Sequence, residues 1–369
     1  MKQKEKKICF LVNSLKRGGA ERVISNLADY FVLQGYKVSV VTPIREKEEY
    51  SVRQEVKRVM SEPPAEELKK GRVRNFLTRW SFLRKIWKQE NPDIIVSFIG
   101  KVNMMALLTT RGLRIPVLVS VRSDPNREYK TRILKLLSKT LFGCAAGIIV
   151  QTKDAKDYFP KRLRRKCVIM DNPLNPEFVR TPYHGTRRNV IVTVGRMDAN
   201  KNQKLLIDAF LNIAADFQDI ELELYGDGNK REEWQKYCEG QTYGSRIHFM
   251  GRCDRIADRI QDARVFVLTS RIEGMPNALM EAMALGIPVI STDCPCGGPR
   301  TLIESGESGL LYSVDALQEL EAALKSVLTD RAVEDKLGAK AYEAAKRWQP
   351  EIVFAQWKDY IESKMDCYE

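Results

Sequence analysis

Two carboxylates, Glu273 and Glu281, stand eight positions apart in the run EGMPNALME, and upstream two cations, Arg196 and Lys201, stand five apart in GRMDANK. A carboxylate accepts hydrogen bonds and suits hydroxyl groups, whereas guanidinium and ammonium groups donate to phosphate oxygens. A helix start between the two glutamates adds unpaired backbone N–H groups and the positive end of the helix dipole, which attract phosphate. Together these groups fit a ligand with a diphosphate in its middle and hydroxyls at both ends, which describes a sugar nucleotide. Each pair also has an ordinary reading: one solvated and one capping glutamate, and two solvated loop cations.

The surrounding elements must place these groups on one edge. Val265 to Leu268 reads as a buried strand, Ser270 to Met275 as a turn, Pro276 as near the first helical position, and Asn277 to Leu285 as a helix stopped by Gly286. Arg196 and Lys201 follow the strand Val190 to Val194, so they leave its carboxyl end. Other glycine-rich loops occupy equivalent places: Lys16 to Arg22 with Gly18 and Gly19, Tyr225 to Asn229 with Gly226, and Cys296 to Arg300. No GxGxxG follows the first strand, so the nicotinamide and flavin fingerprint is absent. Further strands are expected at 7–13, 37–42, 94–98, 117–121, 147–151, 168–170, 220–225, 247–250 and 289–291. Their alternation with helical segments predicts an α/β chain of two Rossmann-like parallel sheets in series. Two prolines in NPLNPEF, 172–178, mark the joint. The expected domains are 1–175, 176–348 and a last helix, 349–369, that returns to the first. Ligands bind beyond the carboxyl ends of such strands, which predicts a cleft where the two domains face one another.

At 369 residues, with 44% apolar and 30% charged residues, the chain has the size and composition of two globular domains. Its eight cysteines are scattered without a CxxC pair, which points to reduced thiols, and two histidines alone make a His-based triad or metal site implausible, so no metal site is expected. The basic N-terminus runs into only five apolar residues, Ile8 to Val12, which reads as a first strand and not a leader. Residues 1–180 carry 38 Lys and Arg against 18 Asp and Glu, a balance of +20, while the remainder carries 23 against 30, or −7. A basic half fits nucleic acid, anionic lipid headgroups or a phosphorylated acceptor; without a nucleic-acid fold signature, the membrane surface is favoured and no nucleic acid is expected. Residues 72–90 and 127–142 mix Arg and Lys with Trp, Phe and Leu at helical spacing, and KRLRRK at 161–166 adds five cations. Those helices either lie in a membrane interface or pack their apolar stripe on the sheet.

GGAERV at 18–23, GRMDANKNQ at 195–203, YGDGN at 225–229 and EGMPNALMEAMALGIPVI at 273–290, followed by GGPR, resemble a retaining glycosyltransferase of family 4 over essentially the whole chain. The resemblance implies the GT-B architecture. It implies that Arg196 and Lys201 hold the donor diphosphate and stabilise the leaving nucleotide, that Glu273 contacts the donor sugar, and that Gly274, Met275, Pro276 and Asn277 lie near the phosphates. Glu281 would bind the ribose and Gly226 and Arg252 would lie near the base, with Gly18 and Gly19 also on the donor side. Catalysis without a metal is implied too, and the chain has no Asp-x-Asp element. Many relatives carry a histidine in the loop that corresponds to SVRSDPN, 120–126, and this chain has none there. Arg122 and Asp124 are the polar substitutes, Arg122 to bind the sugar or an acceptor phosphate and Asp124 to orient an acceptor hydroxyl.

The expected activity is metal-independent transfer of a hexose or N-acetylhexosamine, with UDP the expected nucleotide and no other cofactor, to a lipid-linked or polysaccharide-precursor acceptor. The expected location is cytoplasmic, peripheral on the inner membrane face. The rivals are a UDP-sugar epimerase of related fold and a catalytically silent, glycan-binding partner subunit.

Overall fold

The structure is a computed structural model and describes residues 5–16, 18–68 and 71–367; Arg17, within the first glycine loop, lies outside the described residues. The chain divides into two units, 1–171 with 353–369, and 172–352.

The first unit is built on seven strands: β1 (Lys7–Leu11), β2 (Lys37–Thr42), β3 (Lys57–Met60), β4 (Ile94–Phe98), β5 (Val117–Ser120), β6 (Gly147–Val150) and β7 (Cys167–Ile169). They pair in parallel in the order β3-β2-β1-β4-β5-β6-β7. Runs such as IIVSF in β4 are buried along their whole length because helices cover both faces of the sheet. Val23, Ile24, Leu27 and Phe31 of the helix Gly19–Leu33 join Ile8, Phe10 and Val96 in one core. Val353, Trp357, Ile361 and Met365 of the last helix, Pro350–Asp366, enter that same core. A C-terminal segment whose i, i+4 stripe holds valine, tryptophan, isoleucine and methionine thus completes a sheet that the first 171 residues began.

The second unit has six strands: β8 (Arg188–Val194), β9 (Glu221–Tyr225), β10 (Ile247–Gly251), β11 (Ala263–Leu268), β12 (Val289–Thr292) and β13 (Leu310–Tyr312). Their parallel order is β10-β9-β8-β11-β12-β13. Both sheets reverse direction of growth beside their first strand, between β1 and β4 and between β8 and β11. A ligand crevice is expected outside the carboxyl ends at that point.

Two details differ from the sequence reading. The edge strands β3 and β13 were not anticipated, because KRVM is half charged and LLY is only three residues long. Residues 127–142 do not form one helix. Tyr129 is fully buried and breaks the segment, after which Thr131 caps a new helix, Arg132–Leu141, by accepting from the Leu134 amide at 3.2 Å. Pro276, expected near the first helical position, is the residue that caps the helix Asn277–Ala284. Among the described residues no helix is long and apolar enough to cross a membrane.

Candidate active site

In the second unit, the loop after β8 carries Arg196 and Lys201 and the loop after β11 carries Glu273, so all three leave the two strands that flank the reversal point. Lys201 Nζ donates to Glu273 Oε1 at 2.5 Å, and both side chains are largely buried. The two loops are laced by further bonds. Thr269 Oγ1 donates to the Lys201 carbonyl at 2.7 Å, Asn200 Nδ2 to the Ile272 carbonyl at 3.1 Å, and the Arg271 amide to the Asn200 carbonyl at 2.8 Å. The cation and carboxylate therefore meet on a frame whose backbone is fixed on both sides.

Asp198 organises the first of these loops and was not singled out from sequence. Its Oδ1 accepts from the Asn200 and Lys201 amides, each at 2.9 Å, and its Oδ2 accepts from Arg196 Nε at 2.5 Å. Partial burial acts to raise its carboxyl, but the Lys201 amide, Arg196 and the Asn200 amide outweigh that and hold it below the ordinary value. The only earlier signal was an aspartate two and three residues ahead of two amides in a strand-end loop, the pattern of an Asx turn. Arg196 itself is 73% exposed, so its guanidinium faces solvent with one carboxylate partner.

The glycine loops prove to be sites of backbone contact. A Cβ on Gly226, whose φ is +124°, would lie 2.0 Å from the Gly195 carbonyl oxygen, and one on Gly228 would lie 2.2 Å from that of Met197. The Gly226 amide donates to the Gly251 carbonyl at 2.7 Å, which joins the ends of β9 and β10. Gly226 thus lets three strand-end loops close on one another. Arg252 is exposed immediately beyond. Likewise a Cβ on Gly298 would meet the Gly274 carbonyl at 1.9 Å, so the 294–298 turn presses on the loop that holds Glu273. Glu273 is tied there by its backbone to Pro295 and Cys296, its amide donating to the Pro295 carbonyl at 2.8 Å and its carbonyl accepting from the Cys296 amide at 2.9 Å. Burial, and then the charge of Glu273, pushes the Cys294 thiol up to about 12, an inert thiol beside the site.

Met275 and Asn277 are fastened to the segment that opens this unit. The Asn172 amide donates to Met275 Sδ at 3.2 Å, and Asn172 Nδ2 donates to Asn277 Oδ1 at 2.6 Å. Glu281 is buried in the second turn of the helix Asn277–Ala284.

In the first unit, Gly18 caps the helix that begins at Gly19, at the carboxyl end of β1. Asp124 is buried and caps the short helix Pro125–Glu128, accepting from the Asn126 amide at 2.9 Å. Arg122 is buried as well, with its guanidinium carbon 5.5 Å from the centre of the Phe98 ring and 5.9 Å from that of Trp357. Desolvation lowers the Arg122 group to about 10, against the upward pull of Glu128 and Asp171. Glu128 is a second residue that sequence reasoning missed. Its Oε1 accepts from the amides of Arg122 and Ser123, at 3.1 and 3.0 Å, and its Oε2 from that of Gly100 at 2.9 Å. Burial raises its carboxyl to about 7, although those three amides and Arg122 act to lower it. Among the described residues no group of three or more His, Cys, Asp or Glu is disposed to hold a metal ion.

Comparison with known proteins places this geometry. Residues 17–178 match the family described as Glycosyltransferase Family 4, and residues 177–348 that described as Glycosyl transferases group 1. The chain is 24% identical over 357 residues, 96% of its own length and 98% of the other's, to GalNAc-alpha-(1->4)-GalNAc-alpha-(1->3)-diNAcBac-PP-undecaprenol alpha-1,4-N-acetyl-D-galactosaminyltransferase of Campylobacter jejuni. It is 31% identical over 163 residues, 42% of this chain and 45% of the other, to a lipopolysaccharide 1,6-galactosyltransferase of Salmonella typhimurium. The solved structure of Anabaena HepE in complex with UDP superposes with a TM-score of 0.80 at 17% identity, covering 97% of this chain and 100% of that one. With two successive family matches that run from residue 17 to residue 348 and a fold shared from end to end, the chain belongs to the family 4, group 1 glycosyltransferases of GT-B architecture.

Proposed function

We propose that this glycosyltransferase moves a hexose or N-acetylhexosamine from UDP to a lipid-linked glycan or its diphosphate carrier, with retention at the anomeric carbon, working against the inner face of the membrane. The observation that carries the reading is the Lys201–Glu273 pair at the reversal point of the second sheet. A donor that enters there offers diphosphate oxygens to Lys201 and Arg196 and sugar hydroxyls to Glu273, so each group exchanges its present partner for one of like kind. Glu281 would take the ribose hydroxyls from its place in the helix.

In the transfer step the bond between the anomeric carbon and the leaving phosphate oxygen breaks while the acceptor oxygen bonds to the same face. The departing phosphate oxygen takes the acceptor proton, so no strong side-chain base is required, consistent with a loop at 120–126 that lacks histidine. Charge that develops on the nucleotide diphosphate falls to Lys201 and Arg196 without a required metal ion. The UDP bound in HepE and the undecaprenol diphosphate in the Campylobacter enzyme's name support the choice of nucleotide and of acceptor class.

The test is a panel of nucleotides and nucleotide sugars scored by thermal stabilisation, since a ligand at about 100 times its dissociation constant adds about 2.7 kcal/mol. UDP should stabilise the protein where GDP and ADP do not. Transfer to a lipid diphosphate acceptor should persist in chelator, and NMR of the product should show the donor's anomeric configuration. An inverted product, or activity abolished by the chelator and restored by Mg²⁺, would refute the corresponding part of the reading.

A further inference from the structure

We propose that the carboxyl edge of the first sheet docks on an anionic lipid bilayer through the uncovered front turns of two helices, Arg72–Glu90 and Arg132–Leu141. The proposal rests on the reading above that the acceptor is lipid-linked, and it names the surface that would bring the enzyme to it.

Val73, Phe76, Trp80, Leu83 and Trp87 follow one another at alternating steps of three and four, a single apolar stripe along the first helix. Its rear half is covered. Trp80 Nε1 donates to the Leu108 carbonyl at 3.2 Å, Trp87 Nε1 to Thr109 Oγ1 at 2.9 Å, and Leu83 and Trp87 are buried. Its front half is bare: Val73 is 72% exposed, and Phe76 and the adjoining Leu77 are exposed too. The stripe runs past the end of the helix Gly100–Thr109 that covers it. On the second helix, Ile133 and Leu136, three apart, are 71% and 64% exposed.

Chain direction puts both bare patches on one edge. The helix Arg72–Glu90 leads into β4, and its last residue, Glu90, meets Ser39 of β2 and Lys57 of β3 near the starts of those strands. Its first turns therefore lie at the carboxyl edge. The helix Arg132–Leu141 leads into β6 with the same direction, and both helices pack on Gly100–Thr109 between them. Exposed cations share this edge, Arg72, Arg74, Lys101, Arg127, Lys130 and Arg132. The only carboxylates between Gly71 and Phe142 are Glu90, Asp93, Asp124 and Glu128. Glu90 is paired with Lys57, Asp93 accepts the Lys7 amide at 2.7 Å at the start of β1, and Asp124 and Glu128 are turned to backbone amides. Bare apolar side chains flanked by these cations, with no exposed acid between Gly71 and Phe142 and with Glu66 and Glu67 exposed just ahead of them, fit headgroups above and acyl chains below. A second copy of the same face would set these cations against one another.

The test uses the full chain and flotation with phosphatidylcholine vesicles, with and without phosphatidylglycerol. The wild type should float with the anionic vesicles and release at high salt. The pairs Phe76→Ser with Leu77→Ser, and Ile133→Ser with Leu136→Ser, should each weaken binding about tenfold. Lys101→Gln with Arg127→Gln and Lys130→Gln should abolish the preference for phosphatidylglycerol. All three variants should keep the wild-type melting temperature and UDP stabilisation, which separates this proposal from the donor reading: loss of the UDP response would count against that reading alone. No flotation, flotation indifferent to the serine pairs, or a concentration-dependent dimer that the serine pairs dissolve would overturn the docking proposal.

Discussion

Lys201 and Arg122 are both cations just beyond the carboxyl ends of sheet strands, yet their surroundings differ. Lys201 is partly open and bonded to a carboxylate, Glu273, on a neighbouring loop. A diphosphate can replace that partner without disturbing the core. Arg122 is enclosed, its guanidinium near the rings of Phe98 and Trp357 and its own amide held by Glu128. Removing it would strip a cation from the side of the stacked Phe98 and Trp357 rings, through which β4 meets the C-terminal helix. Residue type and strand-end position are shared; on the proposed reading, what would separate a ligand-binding cation from a structural one is whether its present partners can be exchanged at low cost.

The largest expected effect tests the exchangeable side. Lys201→Ala should lower kcat by about 10²–10³, or about 2.7–4 kcal/mol of transition-state stabilisation, with little change in melting temperature. Near-normal turnover in the variant at saturating donor would remove Lys201 from the mechanism.

Arg122→Ala tests the other side. Loss of a desolvated cation packed beside two aromatic rings should cost about 2–3 kcal/mol of stability, read as a lower urea midpoint, and any activity lost should follow the fraction unfolded. If instead the variant keeps its stability and loses only acceptor affinity, Arg122 belongs with Lys201 and the distinction fails.

The sequence made this contrast only half visible. The alternation of strand and helix patterns, the glycine loops and the run EGMPNALME located both sheets and the second-unit loops, because buried parallel strands and helix stops are local signals. The convergence of Lys201 and Glu273 was legible as an expectation since both residues follow the carboxyl ends of strands, but their direct ion pair was not. Arg122 and Asp124 read as acceptor groups because they are the polar residues of the loop in which many relatives carry a histidine, and nothing local shows that Asp124 caps a four-residue helix or that Arg122 meets Trp357, 235 positions further along the chain. Glu128 was invisible because its three amide partners come from two separate strand ends. Gly226 was recognised as a point of close approach, but only the fold shows that what approaches is the Gly195 carbonyl.

Glu128 gives a pH-dependent form of the contrast. Burial raises its carboxyl from the ordinary 4.5 to about 7, so between those values the folded state holds a proton that the unfolded state has lost. Stability linked to this group is therefore full below about 4.5, falls as pH rises through that window, and is level above about 7. Urea midpoints for the wild type and Glu128→Gln at pH 5, 6, 7 and 8 should show the wild type losing ground to the variant up to pH 7 and no further change beyond. A gap that stays constant over the window would mean that the three amides prevail over desolvation and Glu128 is ionised throughout.

The smallest effect is expected at Asp198, and it is the most discriminating for the second-unit loop. Two contacts are bound up in that side chain, the ion pair to an Arg196 that is 73% exposed and the turn that presents Lys201. Exposed ion pairs contribute about 0–1 kcal/mol, so the pair alone should matter little to stability. The turn is different, since its amides fix where the Lys201 backbone starts and hence where its ammonium meets Glu273. Asp198→Asn keeps a carbonyl oxygen for the amides and gives up the charge, and it should retain most of kcat. Asp198→Ala loses the turn and should lower kcat by about tenfold, or about 1.4 kcal/mol, while leaving KM for the donor closer to its original value. Equal loss in both variants would assign the effect to the charge on Arg196, and no loss in either would show that the bonds from Thr269 and Asn200 to the facing loop suffice to place Lys201.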